Sequence, residues 1–329
     1  MGYQCLVTGA TGGVGANVVK HLNDRDIVPR VLLRKTSNTL SISDLKWEPC
    51  YGDLRDPESL SRAVVGCERV FHSAAYISFW KKRWDEVMRV NVGGTRNLLE
   101  ISQKAGVKKF VFTSSMAAIG FTNDPKKMID ENSEWNYEPY NLVYHTSKRC
   151  SEEMVLGASN DRLHTFALNP GIIFGERDVN LTAARYFKYA KRIYVPFASR
   201  GGIMVTDADD LAEAHILVAE KGTPGERYII ASEFLLFKEF FGMVAGIVGQ
   251  RPPRWVLPGW VTAATGRLGD LIGDLFKIRP TVTYDMAVMG NAYENASCAK
   301  ARAELGVGTT PVRTSLEKSY RWVKEHNLI

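Results

Sequence analysis

The chain is short of the features that mark several protein classes. Its five cysteines, Cys5, Cys50, Cys67, Cys150 and Cys298, are odd in number, far apart and without a C-x-x-C pair, which excludes a disulfide framework and a thiolate zinc site. The six histidines show no H-E-x-x-H or other ligand spacing, so no metal is expected. No clean apolar run of membrane-spanning length is present. The nearest, 255–276, is interrupted by Arg267, Asp270, Asp274 and several glycines; it reads as an amphipathic helix, with loose membrane contact as a secondary reading. The net charge is +6, yet the cations fall in short groups such as Lys81, Lys82, Arg83 and Lys126, Lys127. Without a basic arm no nucleic acid is expected, and an anionic small ligand accounts for the excess. Strand-prone sequence begins by Tyr3, leaving no room for a signal peptide, and Leu6 stands where myristoylation at Gly2 would need Ser or Thr. A cytoplasmic chain is expected. There is no internal repeat and no low-complexity tract.

What remains is an ordinary globular composition: 329 residues, 45% hydrophobic and 24% charged, enough for about two units of roughly 150 residues. Short β-prone runs at 3–8, 31–33, 47–51, 69–72, 110–113 and 165–168 alternate with helical stretches at 14–22, 84–104 and 140–156. Another helix starts at Asp56-Pro57-Glu58, a Pro and acids suiting a first turn. In 84–104 the pair Gly93 and Gly94 is expected to break the pattern. Strand-helix alternation of this kind predicts an α/β fold around a parallel sheet. After about residue 170 the pattern becomes irregular until an acidic stretch, 207–213, opens a further helix. The expected division is a nucleotide-binding part, 1–175, its sheet completed by segments around 203–231, and a smaller, mostly helical substrate lobe, 176–329.

The first strand ends in Thr8, Gly9, Ala10, Thr11, Gly12, Gly13, Val14, Gly15, a G-x-x-G-x-x-G loop running into a helix. Lacking Cβ atoms, such a loop lets amides and the positive helix end approach a pyrophosphate. In this strand-helix setting it predicts dinucleotide binding on a Rossmann sheet. Nineteen residues past Gly15, where an NAD enzyme offers an acid to the ribose hydroxyls, the chain has Arg34 and Lys35. Cations there suit the 2′-phosphate of NADP(H), with NAD(H) as the alternative.

Further on, Tyr144 and Lys148 are four residues apart and share a helical face. A phenol titrates near 10; a neighbouring ammonium and the nicotinamide charge would favour its phenolate. In combination, TGATGGVG at 8–15, YGDLRD at 51–56, HSAA at 72–75, NVGGTRNLL at 91–99, FTSS at 112–115, YHTSK at 144–148 and NPGIIFG at 169–175 resemble the extended short-chain dehydrogenase/reductase, or NAD-dependent epimerase/dehydratase, family. The likeness covers about the first 235 residues. FVFTSSMAAIG and VLLRKTS look most like its dihydroflavonol 4-reductase and 3β-hydroxysteroid dehydrogenase branch.

The resemblance implies Tyr144 as general acid, Lys148 lowering its pKa and holding the nicotinamide ribose, and Ser115, with Ser114 as fallback, on the carbonyl oxygen. It further implies Asp53 and Leu54 beside adenine, Ala74, Ala75 and Tyr76 on the ribose-phosphate side, and Asn169, Pro170 and Ile172 near nicotinamide. Asn91 would be structural or part of a proton relay. Gly13, where relatives often carry a bulky apolar residue, is expected to loosen the glycine loop.

The stretch 116–143 diverges from sugar epimerases. Tyr76, Phe79, Trp80 and Trp84, with Phe174, Tyr186 and Phe187 from the later lobe, suggest a hydrophobic or aromatic substrate pocket. The expected activity is hydride exchange between NADP(H) and a ketone or aldehyde. A nucleotide-sugar epimerase or dehydratase and a non-catalytic dinucleotide sensor are the alternatives. A homodimer formed through the helices carrying Asn91 and Tyr144 is also implied.

Overall fold

The structure, a computed structural model, describes residues 5–329; Gly2 and the start of the first strand at Tyr3 lie outside these. The chain runs through β1 (Cys5–Thr8), α1 (Gly13–Asn23), β2 (Arg30–Leu33), β3 (Glu48–Tyr51), α2 (Pro57–Val64) and β4 (Arg69–His72). Then come α3 (Trp84–Val87), α4 (Gly94–Lys104), β5 (Lys109–Thr113), α5 (Val143–Gly157) and β6 (His164–Pro170). These six strands and a later one, β10 (Arg227–Ile230), form one parallel sheet in the order β10-β6-β5-β4-β1-β2-β3. Of the stretch 203–231, only Arg227–Ile230 enters this sheet.

Alternate residues of each strand feed two different cores. Cys5, Val7, Val31, Leu33, Phe71, Val111, Phe166 and Leu168 point to the face covered by α1 and by α7 (Ala208–Lys221). Leu6, Leu32, Val70, Phe110, Phe112 and Ala167 point to the face of α2, α4 and α5. A strand with both faces covered needs apolar residues throughout, which is why CLVT and KFVFT read as continuous runs rather than alternating ones. His72 is a core residue: it bonds the hydroxyls of Thr8 (2.7 Å) and Thr95 (2.9 Å), and burial lowers its pKa to about 3, keeping it neutral.

The stretch 84–104 is a continuous helical run, as expected, its glycines interrupting only the apolar pattern. It runs from α3 through a π turn at Met88–Gly93 into α4. Gly94 is needed because a Cβ there would come within 2.8 Å of the Leu54 side chain, whereas Gly93 meets nothing close. The extra residue of a π turn redirects one side chain; here it is Asn91 whose amide meets the Tyr76 backbone. Helix α5 starts three residues later than its periodicity suggests, because Asn141 adopts a left-handed conformation (φ 49°). Its first amide, Val143 N, donates to a carboxylate oxygen of Asp285 at 2.9 Å.

The rest of the chain adds β7 (Ile172–Phe174), α6 (Arg185–Arg192), β8 (Phe197–Ala198), β9 (Gly202–Asp207), β11 (Glu233–Leu236), α8 (Phe237–Ile247) and β12 (Trp255–Val256). It closes with α9 (Gly259–Phe276), α10 (Tyr284–Asn291) and α11 (Val312–Glu325). Strands β11-β9-β7 make a second sheet, and β12 pairs with β8 in a small ribbon. Phe174, Phe187, Phe240, Leu316 and Trp322 fill the core between them.

The steric demand that shapes the glycine loop is at the end of β1. Gly9 has φ +74°, and a Cβ on it would lie 2.6 Å from Ala74 N; a Cβ on Gly15 would lie 2.5 Å from the Gly9 carbonyl oxygen. Backbone cannot yield as a flexible side chain can. Gly15→Ala is therefore expected to destabilise the chain by about 1–3 kcal/mol, read as a lower urea midpoint with an unchanged m-value.

Candidate active site

A single cleft of about 870 Å³ begins at the glycine loop, crosses the carboxyl ends of β1 and β4 and continues to α8, α9 and α10. It sits where strand order reverses between β1 and β4, the crevice in which doubly wound sheets bind ligands. At its glycine end lie Gly9, Thr11, Gly12, Gly13, Val14 and Gly15. Helix α1 has no side-chain cap and no acid in its first turn, so its leading amides and positive end are free for an anion. A dinucleotide pyrophosphate fits this cradle. Gly13 does not loosen it: a Cβ there would meet Asp178 at an ordinary 3.6 Å, and the loop is tied down by Asn180 Nδ2 donating to Thr11 O (3.2 Å) and by Asn17 Nδ2 donating to Glu176 O (3.1 Å). The segment 176–180 was not legible as a cofactor-side element, because it is joined to the loop only by the fold.

Arg34, Asp53 and Leu54 line the same end, as do Ala74, Ala75 and Tyr76, while Lys35 is exposed and not among the lining residues. Asp53 is held by both guanidinium arms of Arg55 at 2.8 Å, and that pairing brings its carboxyl down to about 2. Arg55, missed in the sequence, thus pairs with Asp53, an acid whose charge Arg34 also feels. Arg34 makes no ion pair among the described residues.

At the other end, Ser115, Tyr144, Pro170 and Ile172 line the cleft, with Phe79 packed edge-on against Tyr144 at 5.3 Å between ring centroids. The Ser115 hydroxyl accepts from Ala117 N at 3.2 Å and lines the cleft together with the Tyr144 phenol. Ser114 instead turns into the interior, its hydroxyl buried and without a partner. The phenol is not activated in the manner expected. Burial pushes the Tyr144 pKa up to about 12, partly opposed by Ser115. Lys148 is buried and donates its ammonium to the Thr113 carbonyl at 2.7 Å, and desolvation lowers its pKa to about 8. The physical reason is that burial acts on each group singly, whereas the phenolate-favouring charge of a nicotinamide belongs to the ligand.

Five other expected residues stand back from the cleft. Asn91 accepts from Tyr76 N (2.8 Å) and donates to Tyr76 O (3.1 Å) and Ser147 Oγ (3.0 Å), pinning the segment after β4 to α5. Asn169 donates to the Ser115 carbonyl at 3.0 Å and to Glu152, fixing the backbone beneath Ser115. Phe174 is buried against Phe187 and Phe240, each 5.7 Å away, so it is core and not a pocket wall. Phe187 is likewise core, and Trp80 is buried with its indole donating to Asp274 at 3.1 Å. Tyr186 does reach the cleft.

Glu294 carries no recognisable signal in the sequence. It lines the cleft near Tyr144, is almost fully buried and accepts a hydrogen bond from Tyr137 at 3.0 Å. No motif surrounds it; the tertiary fold alone delivers it from the segment after α10.

Fold and cleft together define a dinucleotide-dependent α/β oxidoreductase. The chain belongs to the 3-beta hydroxysteroid dehydrogenase/isomerase family, whose model matches residues 6–234. It is thus one of the extended short-chain, NAD(P)-dependent oxidoreductases. It is 30% identical to a "putative dihydroflavonol 4-reductase" of Synechocystis over 98% of this chain and 95% of that one. It is also 30% identical to "sterol demethylase protein B" of Methylococcus capsulatus, over 98% and 99%. The crystal structure of gox2253 superposes with a TM-score of 0.85 at 32% identity, covering 98% of each chain.

Burial sets the charge of Glu294, raising its pKa to about 7 against the opposing Tyr137 hydrogen bond. A carboxyl whose folded pKa is raised is fully compatible with the fold below its unfolded value and loses stability as pH rises through the folded one. Glu294→Gln, which copies the protonated form, is expected to match wild-type stability near pH 4. Above pH about 7 it should gain about 2–4 kcal/mol, seen as a higher Tm in thermal melts at pH 8.

Proposed function

We propose that this protein is an NADP(H)-dependent reductase or dehydrogenase of hydrophobic ketones, aldehydes and alcohols, with Tyr144 as proton donor and acceptor. The observation that carries the reading is the position of Tyr144: a phenol kept protonated by burial, beside the Ser115 hydroxyl, in the same cleft as the glycine cradle. A bound dinucleotide supplies or takes up the hydride. In the reducing direction Ser115 holds the carbonyl oxygen and Tyr144 gives that oxygen its proton. Lys148, poised near neutrality, returns the proton through the ribose side of the site. Glycines 9, 12, 13 and 15 with the amides of α1 hold the pyrophosphate, Asp53 and Leu54 flank adenine, and Arg34, left unpaired because Arg55 takes Asp53, meets the 2′-phosphate. Residues 1–175 carry the cofactor and 176–329 most of the substrate contacts.

The substrate class follows from the walls supplied by the later lobe, Ile203, Phe237, Phe241, Leu257, Val282 and Met286, together with Phe79, Tyr76 and Tyr186. Arg185 also lines the cleft, but the apolar walls around it would strip most of the water from a nucleotide-sugar diphosphate without replacing its hydrogen bonds. The names of the two relatives, a flavonoid reductase and a sterol-processing protein, suit the same reading.

Two substitutions test it. Tyr144→Phe is expected to lower kcat in a carbonyl-dependent NADPH oxidation assay by about 10²–10⁴-fold while NADPH affinity stays within a few-fold; retained turnover would refute the role. Arg34→Ala is expected to reduce the preference for NADPH over NADH by about 10- to 100-fold in cofactor titrations. An unchanged ratio would remove the assignment of NADP(H).

A further inference from the structure

Helix α9 is built inside out. A surface helix normally buries its bulky apolar residues and shows its polar ones. Here the buried positions are Thr262, Gly266 and Gly273, and a Cβ on Gly266, Gly269 or Gly273 would run into the segment 278–284. The bulky residues face outward: Trp260, Leu268, Leu271 and Leu275 are 75, 56, 65 and 71% exposed and fall on one stripe of the helix. Ile272, Phe276 and Ile278 widen it. Beside the start of α9, the β8/β12 ribbon adds Phe197 and Trp255, exposed and with ring centroids 5.6 Å apart. Apolar patches of this extent on a soluble surface mark an interaction site.

Charge identifies the occupant. The segments forming this face, 185–200 and 249–282, contain ten Lys and Arg against two acids, Asp270 and Asp274, although the whole chain is only +6. The rest of the molecule is therefore acidic on balance, and the basic excess is gathered here. Lys191, Arg192, Arg251, Arg254, Lys277 and Arg279 are all exposed. A second copy of the chain would set these cations against their like. An apolar stripe with tryptophans and a basic border instead matches the interface of an anionic bilayer. Among the described residues no helix is long and apolar enough to cross a membrane, so α9 would lie in the interface plane.

We propose that the outward stripe of α9 and the β8/β12 ribbon seat this protein on bilayers containing anionic phospholipid. Thr262, Thr265 and Val282, on and just after the same helix, line the cleft, so docking places one wall of the site against lipid. The proposal stands on the surface alone and does not depend on the reaction assigned above.

Vesicle co-sedimentation tests it directly. The full chain is expected to pellet with phosphatidylcholine vesicles containing about 30% phosphatidylglycerol, and to bind about tenfold or more weakly to pure phosphatidylcholine or in about 0.5 M salt. Leu271→Asp with Leu275→Asp is expected to weaken binding about tenfold or more with circular dichroism and NADPH binding unchanged. Arg251→Glu with Arg254→Glu, outside the helix, should weaken it similarly if the first pair disturbs folding. Bromine-labelled acyl chains should quench fluorescence in the wild type and less in Trp260→Phe. Wild-type protein left in the supernatant with anionic vesicles overturns the proposal. So does a dimer, seen by analytical ultracentrifugation, that the Leu271/Leu275 pair dissolves while vesicles have no effect; the face would then be a self-association surface.

Discussion

The cleft depends first on backbone packed against backbone at the end of β1. Gly9 lies under the Ala74 amide, and Gly15 lies over the Gly9 carbonyl, at separations that leave no room for a Cβ. That contact brings the first turn of α1 across the gap between β1 and β4, where the sheet changes direction. It also leaves the α1 amides without a side-chain cap. The cleft, the orientation of the strands that feed it and the electropositive cradle at one end all depend on this packing. The cost of bare backbone near solvent is met by interactions from far along the chain, the Asn180 and Asn17 amide contacts, which close the loop from above.

At the opposite end burial, more than charge pairing, governs the chemistry available. Tyr144 is held as a neutral phenol, Lys148 is brought close to neutrality, and Glu294 is kept near its midpoint at physiological pH. Each shift follows from removing water around an ionisable group. The supporting residues hold geometry: Asn91 binds the strand-four loop to the helix of Tyr144, and Asn169 fixes the carbonyl under Ser115. A site of this kind is arranged by its second layer, because two hydroxyls on different elements stay together only if both backbones are tied down.

The chain after β7 has two distinct surfaces. Its inner side supplies Phe237, Phe241, Leu257 and Met286 to the cleft. Its outer side exposes the bulky residues of α9. Small residues allow α9 to lie flat against the segment beneath it, so the helix is thin on its inner side and apolar on its outer side. The cleft wall and the exposed stripe are therefore separated by little more than one helix.

The amino-acid pattern alone determined the parallel sheet, because strands covered on both faces must be apolar throughout. It also marked the glycine loop, because such a turn needs residues without Cβ, and put Tyr144 and Lys148 on one helical face by their spacing, whereas Ser115 came from the family resemblance. Only the tertiary structure decided what depends on residues distant in sequence. It withdrew Phe174 from the pocket and buried it among rings of α6 and α8, and it turned Lys35 and Ser114 away from the cleft. It paired Asp53 with Arg55, and it carried Glu294 to the side of Tyr144 from a segment with no motif. Burial and long-range contact are properties of the packed chain; local periodicity encodes which face a residue takes, and the fold decides what that face meets.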